Sequence, residues 1–253
     1  MRLATIPPFC LNKYMLLSDY QLVLPECFRN EPYTETVYQM RKPGRSDFII
    51  LDNGAAEGNA WHPQALLAVG REFQVNEIVI PDMLGEKDAT LDMLEAFIGD
   101  TTEEERQAFK WMGVPQGATF NDFVECVEAF ASLPFVSTVG VPRHMLQTLG
   151  DNMARVTFAK WIDKEFTGRF DIHFLGSSAQ WLLEPRVLQE ECAFARGMDT
   201  SLPYFAANLE TEIDDLSAGI IARPEGYFEL PSFEFPIGLL EYNMRTLKGW
   251  LYG

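Results

Sequence analysis

The sequence predicts a single (β/α)8 barrel, and three observations predict it. At 253 residues the chain is near the usual size of one α/β barrel. Eight short apolar runs, β-branched or aromatic in character, are separated by stretches of helical periodicity. Alternation of that kind implies parallel strands joined by right-handed crossovers, and a count of eight favours closure over an open sheet.

The strands are expected at 3–6, 21–24, 48–51, 77–80, 110–114, 136–141, 171–175 and 198–202. Amphipathic helices are expected at 63–73, 87–98, 121–132, 152–166 and 179–195, with Asn121 and Asp151 suited to N-caps. Beyond Pro203 the pattern changes. Residues 208–218 read as helical, Arg223-Pro224-Glu225-Gly226 and 231–236 as an irregular aromatic stretch, and 238–251 as a last amphipathic helix. The expectation is one domain over 1–253, with the barrel at about 3–219 and a closing loop and helix at 220–253.

Although 47% of the residues are apolar, no run reaches the length of a membrane span. The first nine residues carry Arg2 but no apolar stretch with a small-residue cleavage site. A signal peptide is therefore not expected, and a cytoplasmic location is. Cys10, Cys27, Cys126 and Cys192 form no CxxC pair, which suits reduced thiols and supplies no zinc-ligand cluster. The formal charge of −17 argues against broad nucleic-acid binding but leaves room for a local basic patch. The acidic runs at 102–106 and 210–215 read as solvated helix surface.

In a parallel barrel the C-terminal ends of the strands form the working face. Strand three ends in Leu51-Asp52-Asn53-Gly54, strand four in Ile80-Pro81-Asp82, and strand five in Val114-Pro115-Gln116-Gly117. Strand six ends in Gly140-Val141-Pro142-Arg143 and strand seven in Leu175-Gly176-Ser177-Ser178, while strand eight carries Gly197-Met198-Asp199-Thr200. A single strand-end Asp is commonly a cap or turn residue. An ordered set over six consecutive strands is a stronger signal than any one of its members.

Taken together, these strand ends resemble the tRNA-guanine transglycosylase family, including its DNA-modifying 7-deazaguanine transglycosylase relatives. The family's Asp-Ser-Gly-Gly-Phe-Gln resembles Asp52-Asn53-Gly54-Ala55-Ala56-Glu57, its strand-four Asp is matched by Asp82, and its Val-Gln-Gly by Pro115-Gln116-Gly117. Val139-Gly140-Val141 and Phe174-Leu175-Gly176 match the next two strand ends. The nucleophile segment resembles Gly197-Met198-Asp199-Thr200-Ser201-Leu202-Pro203 in a shortened form. The likeness runs as islands from about Leu3 to Pro203.

The resemblance implies a (β/α)8 barrel that exchanges guanine in a polynucleotide for a 7-deazaguanine base. It implies catalytic roles for Asp199 as nucleophile and Asp52 as proton shuttle. Asp82, Gln116, Gly117, Gly140, Gly176 and Met198 are implied to bind the base. No cofactor or metal is implied. The tRNA enzymes carry a Cys-x-Cys-x-x-Cys zinc site with a later His. No Cys follows Cys192 here and no His follows His173, so DNA is the expected polynucleotide in preference to tRNA.

The residue types suit that chemistry. A carboxylate nucleophile forms a covalent glycosyl-enzyme, and the incoming base then displaces it with net retention. Guanine offers N1–H and its amine as adjacent donors and O6 as an acceptor; Asp82 can take the donors, Gln116 and the Gly140 N–H can serve O6. Three neighbouring carboxylates should repel, so at least one raised pKa is expected. The target base must leave its stack to be reached. Arg143 and Arg196 are candidates for phosphate contact, with an ion pair as the plainer reading. Tyr204, Phe205, Tyr227 and Phe228 read as core or rim, His173 as a packed and hydrogen-bonded residue, and His62 as a helix start. Two other readings compete: a silent deazaguanine-binding homologue, and a metal-dependent hydrolase using Asp52, Asp82 and Asp199 as oxygen ligands.

Overall fold

The computed structural model describes residues 1–58, 60–177, 183–215, 224–232 and 235–252. Eight parallel strands alternate with helices in a single (β/α)8 barrel. The strands are β1 (Arg2–Thr5), β2 (Tyr20–Val23), β3 (Phe48–Leu51), β4 (Glu77–Val79), β5 (Lys110–Gly113), β6 (Val136–Pro142), β7 (Asp171–Leu175) and β8 (Gly197–Thr200). The helices that wrap them are α1 (Glu31–Gln39), α2 (Pro63–Glu72), α3 (Lys87–Asp100), α4 (Glu103–Gln107) and α5 (Phe120–Ala131). They continue with α6 (Met145–Leu149), α7 (Ala154–Glu165), α8 (Glu184–Glu191), α9 (Leu202–Asn208) and α10 (Ile237–Tyr252).

Ladders run in order from β2 through β8, and β8 pairs in turn with β1, placing Arg2 opposite Gly197 and Ala4 opposite Asp199. β1 and β2 lie side by side without a ladder between them. There the Ser18 hydroxyl donates to the Leu3 carbonyl at 2.7 Å. Strands covered on both faces must be apolar nearly throughout, which is why Phe48-Ile49-Ile50-Leu51 reads as an unbroken run.

All eight predicted strands are present to within about two residues. β8 is shorter than expected because Leu202 already begins α9, with Pro203 in its first turn where a missing N–H costs nothing. The helix expected at 208–218 is not formed over its described part. α9 ends at Asn208, and the next residues make turns with Glu210 at a φ of 53°. The buried Ile213 takes its N–H to Asn243 of α10 at 2.8 Å, a tertiary bond that local periodicity does not reveal. Residues 216–218, 179–182 and the positions Ser178 and Arg223 lie outside the described residues.

Asn121 sits inside α5, and Thr119 caps it instead through a reciprocal capping box with Asp122. Asp151 accepts the Met153 N–H at 2.8 Å just ahead of α7. His62 accepts the Gln64 N–H at the start of α2, as its place beside Pro63 suggested. The first two crossovers hold short 3-10 segments, Phe9–Leu17 and Pro25–Arg29, and α1, none of which the sequence pattern announced. No helix among the described residues is long and apolar enough to cross a membrane.

One buried ion pair fixes the outer helices to the working rim. Arg155 of α7, fully buried, donates to Glu184 of α8 at 2.9 Å and to the carbonyls of Val141, Leu175 and Gly176. Removing one member of such a pair leaves a buried charge without its partner, at a cost of about 3–5 kcal/mol. Arg155→Ala should therefore lose stability on that scale in urea titration. A loss within experimental error of zero would show that the rim does not depend on this staple.

Candidate active site

The C-terminal ends of the strands surround a cavity of about 230 Å³. An apolar cavity of about 150 Å³ accepts a benzene ring, so this one has room for a bicyclic base. Asp52, Asp82 and Asp199 all line it, along with Gln116 and Gly176. The glycosidic reading needs these groups at one rim, and the barrel delivers them there from β3, β4, β5, β7 and β8.

Asp199 is 5% exposed, and one of its two oxygens is fixed. Oδ1 accepts the Gly176 N–H at 3.0 Å and lies 3.1 Å from His173 Nε2. Oδ2 has no hydrogen-bond partner among the described residues. Gly176 reaches this position with a left-handed φ of 65°, a conformation that a Cβ would strain.

Asp82 is held by two amides. Asn53 Nδ2 donates to Oδ1 and to the Ile80 carbonyl, and Gln116 Nε2 donates to Oδ2. Gln116 is itself oriented by the Gly85 N–H, 2.9 Å from its Oε1. Burial pushes the Asp82 carboxyl up to about 6, against the lowering effect of both amide donors.

Asp52 retains some exposed surface at the mouth, yet burial holds its pKa well above the ordinary carboxylate range. Glu57 adds to the rise, and Asp199 and Asp82 contribute further. Mutual repulsion is therefore real but secondary. The expectation of a raised carboxyl holds, with loss of water as its leading cause.

Three residues expected to touch the base do not line the cavity. Successive strand residues face opposite ways, so Met198 points into the packed core when Asp199 faces the barrel interior. Gly140 does face inward, but beneath the floor. A Cβ there would come within 2.8 Å of Leu175 Cδ1 and Met112 Sδ, so its bareness serves packing. Gly117 lies against α5, where a Cβ would meet Asp122 Cβ at 2.2 Å. Gly176 lines the cavity, but its N–H is committed to Asp199.

Arg196 precedes β8 and so lies toward the opposite end of the barrel, paired with Glu77 and Asp171. Arg143 is at the mouth. Of the four aromatics, Phe205 lines the cavity, while Tyr204 and Tyr227 are buried and bond to Thr5 and to the Ile6 carbonyl.

Other contributors were not assigned from the sequence. Asn53 orients Asp82, and its position directly after Asp52 was the available signal. His144 lines the mouth with a buried Nε2 that has no partner among the described residues. Burial, with Arg155 and Arg143 nearby, lowers its pKa to about 4, so the ring is neutral at pH 7. No group of three or more His, Cys, Asp or Glu among the described residues is placed to hold a metal ion.

Among solved structures the chain is similar to KGPDC from Streptococcus mutans, with a TM-score of 0.52. The match covers 100% of this chain and 99% of that one at 9% identity, which speaks for the barrel alone. No family model and no curated protein matches the chain.

The raised Asp82 value has a thermodynamic consequence. Because it lies above the ordinary 3.8, protonation of Asp82 favours the folded state. That contribution is complete below about pH 4 and is lost as the pH rises through about 6. It amounts to about 3 kcal/mol. Between pH 4 and pH 7.5 the stability of Asp82→Asn relative to wild type should improve by about that amount. Parallel pH profiles for the two proteins would assign the titration to another group.

Proposed function

We propose that the protein is a base-exchange glycosyltransferase that replaces guanine in a polynucleotide, with DNA as the acceptor, by a 7-deazaguanine derivative. The observation that carries the reading is the pairing at one cavity of a half-tied carboxylate, Asp199, with two carboxyl groups whose proton affinity burial has raised. The ordered resemblance of the strand ends to the guanine transglycosylases supports it, and it supplies the choice of DNA.

In this reading Asp199 Oδ2 attacks C1′ from below the sugar, and the C1′–N9 bond breaks with its electron pair leaving on the purine. Asp52, kept protonated by its surroundings, gives its proton to the departing base. The incoming deazaguanine returns a proton to Asp52 as its N9 attacks C1′, and the C1′–Oδ2 bond breaks. Two displacements retain the configuration. Asp82 in its carboxylate form accepts N1–H and the exocyclic amine, using lone pairs that Asn53 and Gln116 leave free. The second amide hydrogen of Gln116 is available to O6. Adenine, whose six-position donates, would meet a donor instead.

The test is incorporation of radiolabelled guanine into DNA, with tRNA as a parallel arm. Wild type should label DNA, and Asp199→Ala should reduce incorporation to background while keeping its melting temperature within a few degrees. Label entering tRNA alone would overturn the choice of acceptor, and undiminished exchange by Asp199→Ala would remove the nucleophile. Incorporation that survives EDTA separates base exchange from a metal-dependent hydrolase.

The pH dependence offers a second check. Since Asp82 must be ionised to accept the two donors, kcat/KM should rise through about pH 6. It should fall again where Asp52 loses its proton. A profile flat between about pH 5 and 9 would count against both roles.

A further inference from the structure

Beneath the cavity floor the barrel interior holds a chain of polar side chains that the base exchange itself does not use. Glu77 of β4 is fully buried, and it accepts from Arg196 Nη1 at 3.1 Å, from Nη2, and from the Thr138 hydroxyl at 2.5 Å. Arg196 also reaches Asp171 at 3.1 Å and donates from Nε to the Tyr20 hydroxyl oxygen at 3.1 Å. The Tyr20 oxygen lies 2.8 Å from His173 Nδ1, and His173 Nε2 lies 3.1 Å from Asp199 Oδ1. The chain thus runs from the closed end of the barrel to the candidate nucleophile.

The two ends of the chain set its direction. A guanidinium only donates, so Tyr20 accepts from Arg196 and has one hydrogen left to give. Burial keeps that phenol protonated; because the Asp199 carboxylate only accepts, a neutral ring puts its proton on Nε2 and leaves Nδ1 to accept from the phenol. An imidazole that accepts at Nδ1 carries its proton on Nε2, where it donates to the Asp199 carboxylate. The groups facing His173 are Asp199, Tyr20, Arg196 and Glu77; burial, with Arg196 assisting, outweighs the two acids and keeps the ring neutral. His173 is fully buried between Tyr20 and Asp199, so it meets no ligand.

A barrel interior filled with aliphatic side chains would be easier to stabilise than one containing a buried ion pair and its desolvation.

We infer that His173 is a positioning residue for Asp199: the Tyr20–Arg196–Glu77 chain fixes its Nε2–H tautomer, and the ring holds Oδ1 so that Oδ2 is the attacking oxygen. The catalytic half of this inference rests on the proposed nucleophile; the tautomer half does not.

The experiment has a spectroscopic arm and a kinetic arm on the 253-residue chain. The chain has three histidines, His62, His144 and His173, so a long-range proton–nitrogen spectrum of 15N-labelled protein resolves each ring. The His173 signals, identified by their loss in His173→Gln, should show the neutral Nε2–H tautomer at pH 7 and above. An imidazolium or an Nδ1–H ring at pH 7 would overturn the chain. Tyr20→Phe, which removes the donor to Nδ1, should give mixed tautomers, and an unaltered spectrum would show that Tyr20 does not set them.

In guanine exchange Tyr20→Phe should lower kcat on the order of a hundredfold, the scale of a misplaced reacting group, with KM within about twofold. His173→Gln, whose amide can still donate to Oδ1, should retain at least tenfold more exchange than His173→Leu. Equal losses in the Gln and Leu variants, with both folded by circular dichroism, would reduce His173 to a packing residue. If wild-type protein exchanges no base, the catalytic half falls with the proposed function, and the spectra still decide the tautomer.

Discussion

Carboxyl groups taken out of water must be bonded, neutralised or paired, and the working rim of this barrel is built around that requirement. Its three aspartates meet it in three ways. Asp199 shares one oxygen between a backbone N–H and an imidazole. Asp82 receives an amide on each oxygen. Asp52 has the Asn53 N–H and an environment that favours its protonated form. The same burial that makes these solutions necessary raises the proton affinity of Asp52 and Asp82, which in the proposed reaction suits Asp52 to carry a proton and Asp82 to hold the base. Around them Arg155 braces the ends of β6 and β7 from outside, and Arg196 anchors the interior from below.

The architecture was legible because a parallel barrel writes itself into sequence as short, unbroken apolar runs. Phe48–Leu51 and Asp171–Leu175 agree with the expected limits to the residue. The first two crossovers were not legible, since Phe9–Leu17 coils as a 3-10 helix with a kink at Leu11 and has no continuous apolar stripe. The segment after α9 misled for a different reason. Its alternation of acidic and apolar residues has helical spacing, but Ile213 is drawn into a bond with Asn243 from α10, and tertiary contact overrides local preference.

Within the site, residue type and strand-end position were enough to single out Asp52, Asp82, Gln116 and Asp199. They were not enough to say which way a side chain faces. Met198 shares its strand with Asp199 but has the opposite parity, and only the register of β8 against β1 and β7 fixes which of the two looks inward. Gly140 and Gly117 illustrate the same limit for glycine, whose bareness accommodates Leu175, Met112 and Asp122. His173 was read correctly as buried and hydrogen-bonded. That its partners are Tyr20 and Asp199, 153 and 26 residues away in sequence, is information carried by closure of the barrel alone.

The unladdered seam between β1 and β2 leaves β1 with a single ladder partner, β8, among the described residues. Arg2, made long before β8, must therefore wait for Arg196 before its N–H is satisfied. Contacts so distant in sequence are slow to form, because a long stretch of chain has to be ordered before they bring any return. During synthesis the earlier strands can zip one by one, while the final stave arrives last and carries Asp199 with it. A ribosome-bound chain cut short before that point would own most of a barrel and none of its proposed chemistry.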